Sequence, residues 1–265
     1  QARSLLASEI DTLLTTAGDY AGWDDTYAFV QNRNQNYILH SLGTSFFSKL
    51  RLNLFCIVNL SGDVVYARFR SASTAPDMAL PDDLRTYIAP QAKLFQSVSR
   101  QKPIGGLVAL EEGLFMVAAS PILTTESQGP VKGMLVLGRL LNREEIDQIG
   151  KRADFAVGLL APDSAESANV RWQFDGQQRD ALPVRVQPYG NDRMRGYSML
   201  TDIDGKPAAL LYLEKTRHIY AEARTIILPL ALFSAAAFGL PHFCSTGPAS
   251  NSHSLQCRSM PPVSS

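Results

Sequence analysis

The sequence predicts an α+β fold: a long N-terminal helix packed on an antiparallel sheet, with a C-terminal membrane helix. Three observations carry that expectation. Residues 2–33 repeat apolar side chains every three or four positions, the period of a helix. From residue 52 the period falls to two, in segments rich in β-branched and aromatic residues with turn residues between them. Residues 225–240, TIILPLALFSAAAFGL, carry no charge.

In the opening segment Leu6, Ile10, Leu13, Ala17, Tyr20, Asp24 and Tyr27 are spaced 4-3-4-3-4-3, a seam whose members each pack against a partner element. Asp24 is its only charged member. Gly18 and Gly22 weaken the helix near that point, so a kink or a restart is expected. Asn32, Asn34 and Asn36 mark a break, and a second short helix is expected through 37–50. LNLFCIVNL (52–60) and DVVYARFR (63–70) predict a hairpin around Ser61 and Gly62. Residues 71–112 read as a Pro-punctuated loop with helices near 82–88 and 91–98. GLFMVAASPI (113–122) and VKGMLVLGRL (131–140) predict two strands joined by a loop. NREEIDQIG (142–150) predicts a short helix with Asn142 as cap, Glu145 at the capping-box position and Gly150 as its stop. Strands are then expected at 155–160, 170–174, 184–187, 195–202 and 206–214, the last two joined by DIDG. One long helix, 215–240, is expected to follow. Neither an internal repeat nor a parallel βαβ pattern is visible.

Composition narrows the function. The chain is 45% hydrophobic and 19% charged, as globular proteins are. Its 25 basic and 25 acidic residues cancel, which removes the basic excess of a nucleic-acid binder. Cys56, Cys244 and Cys257 match no zinc or redox spacing and supply no disulfide framework. Cys56, within LFCIV, reads as a small buried hydrophobe. His40, His218, His242 and His253 contain no pair at helical ligand spacing, and no nucleophile elbow or phosphate-binding loop is present. No catalytic residue, metal or cofactor is therefore predicted, and the chain is not expected to be an enzyme. Gln1 begins directly in helical sequence, as in a fragment or a processed chain. The uncharged run has 16 residues where a span needs roughly 20, and extends over 222–243 if Glu222 and Arg224 sit near the interface. A buried core helix is the alternative; the missing polar face favours a span. Residues 244–265, rich in Ser and Pro, are expected to be a disordered tail, of the kind left by a vector or a shifted reading frame.

The stretch WDDTY (23–27) concentrates the functional question. A carboxylate on the apolar side of a helix needs a donor. Asp24 can cap a helix restarted after Gly22 by accepting the N–H of residue 26 or 27, pair with an arginine of the sheet, for which Arg139 is the best placed, or hold a polar ligand group. Asp24 and Asp25 point about 100° apart on a helix and cannot flank one bond. Trp23 and Tyr27 share a face, as core residues or as a ligand platform. On the strands, Phe115, Val117 and Ala119 share one side, and Met134, Val136 and Gly138 share one side of the partner. These small residues either leave a cavity or permit close packing.

Read in order, WDDTYAFVQNRNQNYI, LNLFCIVNLSGDVVYARF, LFMVAASPIL, GPVKGMLVLGRLLNREEI and LTDIDGKPAALLYLEKTRHIY resemble the fourth family of CHASE domains, over roughly residues 20–221. These are the extracellular sensory modules of bacterial and archaeal cyclases, phosphodiesterases and histidine kinases. The resemblance implies a Cache- and PAS-like fold for residues 1–221, placed outside the inner membrane, in the periplasm or extracellular space, between two spans. It implies a homodimer that senses a small-molecule ligand and passes a signal to a cytoplasmic output domain, in some members one of cyclic di-GMP signalling. By motif, Trp23, Asp24, Asp25 and Tyr27 fall on the family's helical signature, and Ser120, Pro121, Gly138 and Arg139 on its sheet signatures. The candidate ligand-binding residues are Trp23, Asp24, Asp25, Tyr27, Phe115, Ser120 and Arg139. Two features depart from the pattern: no span precedes Gln1, and no output domain follows Phe243. Lys215, Arg217 and Arg224 precede the apolar run and only Arg258 follows it, so positive-inside counting alone would place the sensor in the cytoplasm. The expected function is a ligand-sensing extracytoplasmic receptor domain; the alternative is a periplasmic protein-interaction module without a small ligand.

Overall fold

The opening helix does restart where the glycines weaken it. In the computed structural model, which describes residues 2–43, 45–71, 76–127, 129–171, 184–190 and 192–216, α1 (Ala2–Ala21) stops and α2 (Asp24–Asn32) begins after Trp23. The break resets the helical phase, so Thr26 and Phe29 turn inward in α2 while Asp24 turns out. Two short helices follow, α3 (Gln35–Ser41) and α4 (Phe46–Leu50), where one was expected.

Five strands form the first antiparallel sheet: β1 (Leu54–Asn59), β2 (Val64–Phe69), β3 (Ile104–Leu110), β4 (Gly113–Pro121) and β5 (Gly133–Leu140), in the order β2-β1-β5-β4-β3. The three central strands are nearly continuous apolar runs because both faces of the sheet are covered. One face packs under α1 to α4: Phe55, Ile57, Met116, Ala118, Leu135 and Leu137 meet Leu6, Leu13, Ala17, Phe29 and Phe47. The opposite face packs under α5 (Asp82–Ile88) and α6 (Lys93–Ser99): Cys56, Val58, Phe115, Val117 and Val136 meet Leu84, Ile88, Leu94 and Val98. The β1–β2 turn is built as its sequence suggests. Gly62 adopts φ +88°, and Asn59 Oδ1 accepts the N–H groups of Ser61 and Asp63 at 2.9 and 2.8 Å.

β3 forms where a loop was expected. Its Gly105-Gly106 pair lowers strand propensity, but tertiary packing needs the glycine. A Cβ on Gly105 would lie 2.7 Å from Ile10 Cγ2 and 2.9 Å from Leu14 Cδ1, so α1 approaches β3 over bare backbone.

α7 (Arg143–Ala153) leads to the second sheet. Asn142 Oδ1 caps it by accepting the Glu145 N–H at 2.9 Å, as expected. Gly150 does not stop it: the helix runs to Ala153 and ends at Asp154 in the left-handed region, φ +58°. The second sheet comprises β6 (Ala156–Leu160), β7 (Val184–Tyr189), β8 (Arg193–Thr201) and β9 (Pro207–Thr216), in the order β6-β9-β8-β7. Between β6 and β7, residues Ala165–Arg171 form the helix α8, so the strand expected at 170–174 does not start at 170; its remainder lies outside the described residues. β9 continues to Thr216, so the helix expected from 215 does not begin there. The expected membrane helix, 222–243, and tail, 244–265, also lie outside the described residues. Among the described residues, no helix is long and apolar enough to cross a membrane.

α1 ties the two sheets together. It lies across β3, β4 and β5 and against α7, while Arg3 Nη1 donates to Ser198 Oγ on β8 at 3.1 Å. The β8–β9 turn makes a second tie. Ile203 N–H donates to Leu107 O on β3 at 2.8 Å, and Lys93 Nζ on α6 donates to Ile203 O at 2.6 Å.

Candidate functional site

WDDTY divides its polar groups among three neighbours. Trp23 is the N-cap of α2 with extended backbone, and its ring, 39% exposed, leans on Tyr20 with centroids 4.4 Å apart. Asp24 and Asp25 occupy the first turn of α2, where a negative charge favours the helix dipole. Asp24 is exposed, and its Oδ1 accepts the Thr125 N–H at 3.0 Å. It neither caps the helix by side chain nor faces Arg139: the phase reset at Gly22–Trp23 carries it off the sheet side. Tyr27 Oη reaches Pro130 O at 3.4 Å, and Lys132 lies over its ring. Asp24 and Tyr27 thus strap α2 to the β4–β5 connection. Replacing Asp24 by alanine is expected to cost about 1 kcal/mol, from one hydrogen bond and the helix-end charge, and to speed amide exchange at Thr125. Unchanged exchange at Thr125 would contradict the strap.

Thr26, fully buried, is the junction of the motif. Its hydroxyl donates to Tyr20 O at 2.7 Å and lies 2.9 Å from Tyr37 Oη. Because the single Thr26 hydrogen is committed to Tyr20, the Tyr37 hydroxyl is the donor of the second bond. Burial pushes the Tyr37 pKa up to about 12. The end of α1, α2 and α3 therefore meet at one hydroxyl. Asp25 has no hydrogen-bond or ion-pair partner among the described residues, and it lines a cleft of about 200 Å³ between α2 and α3 with Asn32, Asn34, Asn36, Tyr37 and His40.

Arg139 answers a different acid. Only 6% exposed on β5, it donates from Nη1 to Glu9 Oε2 of α1 at 2.9 Å, from Nη2 to Leu50 O at 3.0 Å and from Nε to Arg51 O at 3.2 Å. Glu9 also receives Arg51 Nη2 at 3.5 Å and Arg152 Nη1 of α7. Arg51 Nη1 in turn meets Glu145 Oε1 at 3.1 Å. Burial raises the Glu145 pKa although Arg51 and Arg139 oppose it; burial and then Arg51 lower that of Arg139. One carboxylate on α1 is thereby shared by guanidinium groups from β5, α7 and the end of α4. The sequence marks Glu145 only as a capping-box residue and singles out none of Glu9, Arg51 and Arg152. The signal was present: Ala2, Leu6, Leu13, Ala17 and Ala21 are the buried stripe of α1, and Glu9 falls on it between Leu6 and Leu13.

The remaining candidates do not assemble with these. Ser120 lies on the α1 side of β4, buried, with its Oγ unpaired among the described residues and Gly18 above it. Phe115 lies on the opposite side, fully buried against Phe69 with ring centroids 5.8 Å apart. The two residues are five apart on one strand, so the pleat separates them. The small residues of that opposite side are packed rather than hollow: Leu54 fills the space where a Gly138 Cβ would stand, 2.9 Å from it. Among the described residues, no three His, Cys, Asp or Glu side chains converge as a metal site.

The second sheet carries its own charged cluster. Arg195, 6% exposed, lies between the rings of Tyr189 and Tyr212 and donates from Nη2 to Glu214 Oε2 at 2.8 Å, while Arg193 Nη1 donates to Glu214 Oε1 at 2.6 Å. These hydrogen bonds hold the Glu214 carboxyl below its ordinary value of 4.5. A depressed carboxylate contributes stability above the unfolded value and loses it as pH falls through the folded one. Amide protection in β8 and β9 is therefore expected to fall as pH drops below 4.5, and Glu214→Gln is expected to flatten that response. An unaltered acid profile in the variant would refute the assignment.

Comparison with known proteins follows this geometry. A family model described as the CHASE4 domain matches residues 5–159. The methanogenesis regulatory histidine kinase FilI of Methanothrix harundinacea is 25% identical over 214 residues, 81% of this chain; the chain spans 23% of that protein's length. Among solved structures, the domain of a sensory box/GGDEF family protein from Vibrio parahaemolyticus superposes with a TM-score of 0.51 at 12% identity, covering 81% of this chain and 91% of that one. The sensor domain of the V. cholerae histidine kinase DctB gives 0.43 at 10% identity, covering 81% and 93%.

Proposed function

Because this chain belongs to the CHASE4 domain family, we propose that it is the ligand-sensing extracytoplasmic part of a membrane signal-transduction receptor. The observation that carries the reading is the placement of α1, which is held to the second sheet through Arg3, to the first sheet and α7 through Glu9, and to α2 and α3 through Tyr20 and Thr26. A ligand that shifts α2 or α3 acts on α1, and α1 acts on the sheet whose last strand, β9, leads toward the apolar run 225–240. The signal is the difference in ligand affinity between two settings of α1, about 1–3 kcal/mol in most coupled systems. The receptor is proposed to sit in the inner membrane through that run, to work as a homodimer, and to relay to a cytoplasmic histidine kinase or cyclic di-GMP enzyme. The test is a thermal-shift screen of the full chain in detergent against small metabolites, followed by hydrogen exchange with each hit. A hit should raise the melting temperature and alter exchange along α1. Hits that leave α1 unchanged would overturn the reading.

One observation favours a protein partner instead. β7 is an edge strand whose Val184 and Val186 are 58% and 60% exposed, and such an edge can accept a strand from another chain. If Val184→Lys and Val186→Lys abolish partner-driven output while no small ligand is found, the interaction module is the better account.

A further inference from the structure

The cleft between α2 and α3 has a chemistry that the rest of the motif leaves unexplained. Of the polar groups in WDDTY, Asp24, Thr26 and Tyr27 are committed to protein partners, and Asp25 makes no hydrogen bond or ion pair among the described residues. Among the described residues that line the cleft, it is the only Asp, Glu, Lys or Arg. The other groups have fixed polarity. His40 Nδ1 lies 2.8 Å from Asn36 O; a carbonyl only accepts, so Nδ1 carries a proton, and in the neutral ring Nε2 is then the acceptor. The Tyr37 hydroxyl is spent on the buried Thr26 and belongs to the helix junction, so Tyr37 lines the cleft without supplying it a polar group. Asn32 Oδ1 and Asn34 Oδ1 accept the N–H groups of Asn34 and Asn36 at 3.0 Å each, which fixes their amide groups and leaves their Nδ2 atoms as donors.

We propose that this cleft binds a small organic cation: a primary ammonium compound carrying a hydroxyl or carbonyl oxygen. Its N–H groups meet the Asp25 carboxylate and His40 Nε2, and its oxygen accepts from the asparagine amides. A cleft of about 200 Å³ suits a molecule of few heavy atoms. The ligand class rests on the sensing reading above for its consequence but not for its chemistry. Tyr37 lines the cleft and bonds Thr26, which bonds Tyr20 in the last turn of α1, so an occupant that draws α3 toward α2 pulls on the end of that helix.

Three small probes separate charge from shape: the isosteric pair ethanolamine and ethylene glycol, and the anion glycolate, titrated into the full chain with the side-chain amide resonances of Asn32, Asn34 and Asn36 as the readout. Ethanolamine should shift these signals saturably, and the neutral and anionic probes should not. Asp25→Asn should weaken ethanolamine about tenfold or more, as the loss of one hydrogen bond to a charged group does; Asn36→Ala, at an exposed position, should weaken it less. Absence of saturable shifts with ethanolamine, equal response to all three probes, or full binding to Asp25→Asn would each overturn the proposal. Ethanolamine binding without altered exchange along α1 would support the cleft and count against the sensing mechanism, so the two ideas fail separately.

Discussion

Glu9→Ala is expected to destabilise the folded chain by about 3 kcal/mol, because it strands a nearly buried guanidinium whose partner is removed. The estimate sits at the low end for such losses. Arg139 keeps two carbonyl acceptors, Leu50 O and Arg51 O, and Arg51 and Arg152 are partly solvated. Glu9→Gln keeps an acceptor without the charge and should cost less. A double-mutant cycle assigns the loss to its partners: Glu9 with Arg139 should couple strongly, while Glu9 with the half-exposed Arg152 should couple by no more than about 1 kcal/mol. Urea unfolding of the single and double variants measures both. A Glu9→Ala variant that unfolds with wild type would show that the cluster does not hold α1. On the proposed mechanism the cluster holds α1 in one register against β5 and α7. A receptor that moves α1 must exchange or strain these pairs, so Glu9→Gln should alter hydrogen exchange along α1 even where it leaves the fold intact.

Phe115→Ala is expected to cost about 3–5 kcal/mol, the range for truncating a fully buried aromatic side chain. Phe115 is 0% exposed in the cluster formed by Phe69, Leu84, Leu94 and Val117 beneath α5 and α6. A role in ligand binding makes the opposite forecast: a chain of near-normal stability that has lost a selective response. Chemical denaturation separates the two, and a cost below about 1 kcal/mol would remove Phe115 from the core assignment. Phe115→Leu, which keeps most of the apolar volume, should fall well below the alanine loss.

These two residues show where sequence reasoning succeeds and where it stops. Hydrophobic period gave Phe115, Val117 and Ala119 a common side, and the strand places them there. It could not say whether that side was hollow, because the answer depends on α5 and α6, which reach it from earlier in the chain. Glu9 was visible on the buried stripe of α1, but a strict 4-3 seam selected Ile10 in its place. A helix of 3.6 residues per turn drifts from a seven-residue repeat, and the drift is enough to change which neighbour faces inward. The seam turns Asp24 inward only if the helix continues across Gly22; the restart that Gly18 and Gly22 favour turns it outward, to Thr125.

The amino-acid sequence by itself determined the opening helix and its restart, the strands β1, β2, β4 and β5, the hairpin at Gly62, the cap at Asn142 and the family. Each depends on residues within a few positions of one another or on motifs in a fixed order. Only the tertiary structure decided the partners of the charged groups, the glycine at which β3 meets α1, and the division of WDDTY into a strap, a junction and a free carboxylate. Arg139 and Glu9 are 130 positions apart, and Asp24 and Thr125 are 101. A charge needs a partner within a few ångströms, and at such separations along the chain only the packed fold determines which partner that is.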